Sequence, residues 1–143
     1  MTFKSKKDGL FSTIILGTNG FLILVLFFLF SNKTIDKNDV FPIIILLATI
    51  IFTLWLFFGT YYELSKESGL VYHCGPIHGK IKLERISEIV KGKTLWVGFR
   101  PATSRNGLII KYDKYNEIYI SPQSNDTFIK KILELHSAIK ITE

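Results

Sequence analysis

His73, Cys74 and His78 form an H-C-x3-H cluster, the residue types that hold transition metals. A structural zinc site needs four nitrogen or sulfur ligands in a tetrahedron. This chain has one cysteine, and an extended strand would send His73 and Cys74 to opposite faces. The plainer reading is a pair of ordinary histidines beside a reduced thiol, as in cytoplasm. Glu63, Glu84 and Glu88 fall at strand positions that face water, and no glycine-rich phosphate loop or G-x-S-x-G elbow occurs. Neither long apolar run carries a carboxylate that could relay protons. The expectation is a non-enzymatic protein with no catalytic, metal or cofactor-binding residues.

A second grouping is basic and aromatic. The chain has a net charge of +6, and the segment KGKTLWVGFRPATSR interleaves Lys91, Lys93, Arg100 and Arg105 with Trp96 and Phe99. Aromatics that stack bases and cations that track phosphates would suit single-stranded nucleic acid. A domain held at a membrane, however, already has an anionic neighbour, so nucleic acid is not expected as a partner. Each cation near an anionic leaflet contributes about 1 kcal/mol, and Trp favours the interfacial zone. These six residues are therefore candidates for a membrane-surface or partner patch. The ordinary alternative is that Trp96 and Phe99 are core residues and the cations solvate a strand edge.

The membrane enters through the first sixty residues. Residues 10–30 and 40–60 contain no charged side chain. At about 1.5 Å per helical residue, each run spans roughly 30 Å, the thickness of a bilayer's hydrocarbon core. A cleaved signal peptide is disfavoured for the first run, which exceeds the usual ~7–15 apolar residues and lacks a small-x-small cleavage site. Lys4, Lys6 and Lys7 precede the first run, and most of the 18 Lys and Arg follow the second. In the connector, residues 31–39, Lys33 and Lys37 balance Asp36 and Asp39. The positive-inside rule then gives a two-span cell-membrane protein with both termini cytoplasmic. Asp39 as cap and Pro42 in the first turn would start the second helix.

Polar and small residues within the runs mark a candidate interhelical contact. Gly17, Asn19 and Gly20 interrupt the first, and Thr49 and Thr53 lie at matching depth in the second. Lipid offers an amide no partner, so Asn19 is expected to reach Thr49 or Thr53, with the glycines letting the backbones approach. Alternatively, Asn19 faces outward and joins two copies of the chain as a homo-oligomer.

Residues 61–143 read as a separate cytoplasmic domain of β-strands closed by one helix. Apolar and polar positions alternate over residues 61–65, 70–74, 80–84, 86–90, 95–99, 108–112 and 117–120. About seven short antiparallel strands imply a small barrel or sandwich. After Pro122 the period becomes helical: Ser124 suits an N-cap, and Phe128, Ile129, Ile132, Leu133 and Leu135 share one face. That outline is a pleckstrin-homology-like (PH-like) barrel behind a membrane hairpin at residues 1–60.

Particular segments carry a resemblance. Residues 81–86 (IKLERI), Ala102-Thr103-Ser104 leading into residues 107–112 (GLIIKY), and Ile118-Tyr119-Ile120-Ser121-Pro122 followed by Phe128-Ile129 are similar to the YyaB-like bacterial PH-domain family. The resemblance covers roughly residues 10–140 and departs at Arg105-Asn106, where the pattern would place an acidic residue. It implies two N-terminal spans and a cytoplasmic PH-like domain, a fold and a topology rather than a mechanism. Two functions fit. One is a binding or assembly module that engages a membrane-protein partner or lipid headgroups. The other is self-immunity against a bacteriocin or other membrane-active peptide.

Overall fold

The computed structural model describes residues 1–32 and 36–143; Lys33, used above for the charge balance of the connector, lies outside the described residues. Two long apolar helices come first, α1 (Gly9–Asn32) and α2 (Lys37–Phe58). Each is long and apolar enough to cross a membrane, and only 11% of each helix's most apolar stretch is buried. A core helix of a soluble protein would be mostly covered, whereas here Phe21, Phe27, Phe41, Ile51 and Trp55 stand exposed, as lipid-facing side chains do.

Both helices start on aspartates. Asp8 Oδ1 accepts the Phe11 N–H at 2.8 Å and caps α1. For α2 the cap is Asp36 rather than Asp39. Asp36 Oδ1 accepts the Lys37 N–H at 2.7 Å, and Asp39 returns a bond to the Asp36 N–H at 3.2 Å, which completes a capping box. The helix therefore begins before Asp39, and Pro42 lies within it.

The barrel is built from two four-stranded sheets. The first runs β1 (Thr2–Lys4), β2 (Thr60–Ser65), β3 (Gly69–Cys74), β4 (Ile77–Ile81), antiparallel throughout. The second has the order β7 (Asn116–Ile120), β6 (Leu108–Tyr112), β5 (Ile86–Lys91), β8 (Lys140–Thr142). Alternation puts Tyr62 and Leu64, Leu108 and Ile110, and Ile118 and Ile120 inside. Helix α3 (Asn125–Leu135) starts at Ser124, whose Oγ accepts the Thr127 N–H at 3.3 Å, and buries Phe128 and Ile132 between the sheets.

Four features differ from the sequence expectation. Residues 1–5 do not belong with the hairpin alone: β1 pairs with β2, and the Met1 ammonium donates to the Leu64 carbonyl at 2.8 Å. The strand expected at residues 80–84 ends at Ile81 and passes into a 3-10 turn, Leu83–Arg85, that buries Leu83. Residues 95–99 form no strand, because Gly98 at φ +105° turns the chain out of extension; only Phe99 bridges to Ile118. Finally, β8 adds a strand parallel to β5, tied by the Thr142 hydroxyl donating to Glu88 Oε1 at 2.8 Å.

Candidate functional site at the hairpin–barrel junction

One residue, Gly59, separates α2 from β2, and its N–H donates to the Trp55 carbonyl at 2.7 Å. A side chain there would meet that carbonyl oxygen at 2.6 Å and the Gly75 backbone at 3.2 Å, so the close approach needs glycine. The Thr60 hydroxyl reaches back to the Leu56 carbonyl at 2.6 Å. On the other helix, Asp8 Oδ2 accepts from both the backbone N–H and Nε of Arg105, at 3.0 and 3.1 Å. Burial alone would raise the Asp8 pKa. The Phe11 and Arg105 N–H groups and the Arg105 guanidinium outweigh burial and hold it below the ordinary 3.8. Both helices are thus fastened to the same end of the barrel, where the β3–β4 turn and the loop of residues 92–107 also lie.

Beneath this junction is a buried polar knot. Ser5 Oγ lies within hydrogen-bond reach of the Tyr62 hydroxyl (3.1 Å), Thr103 Oγ1 (2.9 Å) and Ser121 Oγ (3.0 Å). Tyr62 donates to the Pro101 carbonyl at 2.6 Å and accepts the Ser121 N–H at 3.0 Å. Thr103 donates to the Lys6 carbonyl at 2.7 Å. These bonds tie Ser5, the residue after β1, to Tyr62 of β2, to Thr103 in the loop and to Ser121 just after β7, with no imidazole or carboxylate among them. The knot's members Thr103 and Ser121 belong to two of the three segments that carried the family resemblance. Ser5 and Tyr62 were missed, because nothing in their types separates them from surface residues.

The six residues of the candidate patch do not stay together. Lys91 pairs with Asp126 at 2.7 Å, and Lys93 donates to the Glu143 carbonyl at 3.1 Å. Arg105 is held by Asp8. Trp96 and Arg100 do assemble, while Phe99 packs elsewhere. Arg100 lies 5.6 Å from the Trp96 ring and 5.3 Å from the Tyr119 ring, and Phe99 tilts against Tyr72 at 5.4 Å. Trp96 is not a core residue: it is 73% exposed, with Val97 at 82% and Phe99 at 43%. Leu95 and Ala102, by contrast, pack on Val90, Ile109 and Tyr119, covering the outer face of the second sheet.

Arg100 borders a cavity of about 220 Å³ between the helices and the barrel, lined by Phe11 and Ile15 of α1, Leu56 and Phe57 of α2, and Cys74 of β3. Its Nε is sealed from solvent and makes no hydrogen bond. Leaving such a donor unmet costs about 1–3 kcal/mol or more for a charged group.

The other groups singled out in sequence have plain surroundings. His73 and His78 sit opposite each other on β3 and β4 with rings 6.0 Å apart, and Tyr61 stacks on His73 at 4.3 Å. Cys74 instead meets the Thr60 hydroxyl at 3.5 Å. Between the helices, Thr53 Oγ1 lies 3.1 Å from Asn19 Oδ1, sharing its one proton with the Thr49 and Ile50 carbonyls of its own helix at 2.8 and 3.1 Å, while the Asn19 amide donates to the Ile15 carbonyl at 2.7 Å. Thr49 turns to its own helix at the Ile45 carbonyl. Gly17 and Gly20 take no part: a side chain built at either would meet nothing within 4 Å.

Comparison with known proteins agrees with this architecture. Residues 60–136 match the family described as Bacterial PH domain. The chain is 32% identical over 148 aligned positions to "Uncharacterized protein YyaB" of Bacillus subtilis (strain 168), covering 99% of this chain and 97% of that protein. No solved structure matches. A PH-like barrel over residues 60–136 and near-full-length likeness to YyaB together place the chain in the YyaB-like bacterial PH-domain family.

Proposed function

We propose that this protein is a non-enzymatic, membrane-anchored binding or assembly module. Its barrel lies on the cytoplasmic face and engages a membrane-protein partner or lipid headgroups through the segment around Trp96, Val97, Phe99 and Arg100. The observation that carries this reading is the exposure of Trp96 and Val97 on a loop whose next residues line the cavity at the helix ends. Large apolar side chains held out beside a membrane anchor fit an interfacial contact.

The inside orientation has its own support. Pairing of β1 with β2 requires the start of α1 and the end of α2 to lie on one side of the bilayer. The flanking Lys4, Lys6 and Lys7 then share that side with the basic barrel, as the positive-inside rule favours. Lys7 lies 4.0 Å from the Phe58 ring, at the level where the helix leaves the hydrocarbon.

A photo-crosslinking side chain at Val97 in native membranes tests the reading. Adducts to lipid or to a membrane protein are expected there and not at Tyr115, which is 85% exposed on the β6–β7 turn at the far end of the barrel. Equal labelling at both positions, or none at Val97, would refute it.

A further inference from the structure

We infer that the cavity bordered by Arg100 is a headgroup site for one anionic glycerophospholipid, whose phosphate sits on the guanidinium and whose acyl chains leave along α1 and α2. This rests on the membrane-module reading and names the ligand of that face.

Three observations converge on it. First, Arg100 has unused donor capacity. Among the described residues no hydrogen bond or ion pair uses its guanidinium, and since Nε is closed off from solvent, the terminal N–H groups are the donors left open to a ligand. An arginine presents several N–H donors in a planar fork that fits two phosphate oxygens at once. Trp96 and Tyr119 lie within cation–π range of the guanidinium, contacts made through a ring face that do not consume its N–H donors.

Second, the rest of the lining is apolar or already satisfied. The hydroxyls of Thr60 and Thr103 donate to the carbonyls of Leu56 and Lys6, and Thr53 is engaged between the helices. Among the described residues, Arg100 is the one charged side chain lining the cavity, which otherwise offers Phe11, Ile15, Leu56 and Phe57. One cation at the rim of an apolar slot matches an anion carried on a hydrocarbon tail, and an aqueous phosphate would gain nothing from those walls.

Third, position decides the source. The lining residues of α1 and α2 are the turns nearest the barrel, where the membrane-spanning segments meet the headgroup layer. A cavity of about 220 Å³ falls short of the ~300 Å³ at which sites for drug-sized ligands begin, so it takes the phosphate at Arg100 and the first carbons beyond it against the apolar walls, and no more of the lipid. The exposed apolar flanks of both helices are left for the chains.

Native mass spectrometry of the full-length chain in detergent tests this directly. Wild type is expected to retain one phosphatidylglycerol through collisional activation and to shed phosphatidylcholine. Arg100→Gln should weaken phosphatidylglycerol retention by about tenfold or more, and Arg100→Lys, which keeps the charge but loses the fork, should fall between. Ile15→Trp, which narrows the slot from α1 with Arg100 untouched, should also lose the adduct, so the result does not depend on how well the Arg100 variants fold. Full retention in Arg100→Gln, or equal retention of phosphatidylcholine, would overturn the site. Displacement of phosphatidylglycerol by millimolar inorganic phosphate would also overturn it, in favour of a soluble anion. Loss of this adduct pattern with Val97 crosslinks intact would remove the lipid site and leave the module reading standing.

Discussion

Helix α3 and the loop of residues 92–100 both carry large apolar side chains against the second sheet, and they dispose of them in opposite ways. Phe128 and Ile132 of α3 are fully buried, with Phe128 edge-on to Phe3 at 5.1 Å. In the loop only Leu95 is taken in, while Trp96 and Val97 point away. The difference lies in the receiving surface. Between the two sheets there is a gap that α3 fills. The outer face of the second sheet is already covered once Leu95 and Ala102 have landed on it. Apolar residues beyond that number have no protein surface to bury, and the proposed interfacial contact is what would cover them.

The largest effect should come from the buried side. Phe128→Ala is expected to cost about 3–5 kcal/mol, enough to consume much of a typical small domain's stability, and limited proteolysis should then cut the barrel while sparing the helices. Unchanged resistance would break the contrast by making α3 as peripheral as the loop. Next, Tyr62→Phe removes a hydroxyl that serves Pro101, Ser121 and Ser5, and should cost about 1–3 kcal/mol in denaturant unfolding. Thr53→Val should loosen the hairpin by roughly 0.6–2 kcal/mol, and oxidation of a paired Asn19→Cys and Thr53→Cys variant should crosslink within one chain. Covalent dimers from Asn19→Cys alone would assign that residue to an oligomer contact instead.

Two smaller effects sharpen the comparison at the junction. Because the folded state holds the Asp8 carboxyl below 3.8, its contribution is fully present above that pH and is lost as pH falls through the lower folded value. Asp8→Asn should flatten the acid limb of the stability profile, and an unchanged limb would show that the aspartate tie carries no pH dependence. Trp96→Ser should change stability by no more than about 0.5 kcal/mol while abolishing crosslinks from the photo-reactive side chain at position 97. A cost as large as that of Phe128→Ala would mean the loop is core after all.

Most of the barrel is legible in the sequence because burial on one face imposes a period. The alternation of β2, β6 and β7 and the helical stripe of α3 are direct imprints of the core. Strands β1 and β8 leave no such imprint: each is three residues long, and each is held by partners distant in the chain. Residues 95–99 carry the converse error, since an alternating pattern stands there without a sheet and Gly98 breaks it. Asn19 and Thr53 stand out because polar groups are rare in lipid-facing runs. The Arg100 cavity does not stand out, because it is assembled from both helices, β3 and a loop, and its cation looks in sequence like any other member of a basic segment.

The central claim, that the Trp96 loop rests in the headgroup zone, is tested most directly by fluorescence quenching. The chain has two tryptophans, Trp55 in α2 and Trp96, so Trp55→Phe leaves Trp96 as the reporter. The full-length variant in phosphatidylglycerol-containing vesicles should be quenched strongly by a lipid carrying a shallow spin label and weakly by aqueous iodide. Strong iodide quenching with no response to the lipid-borne label would place Trp96 in water and contradict the account.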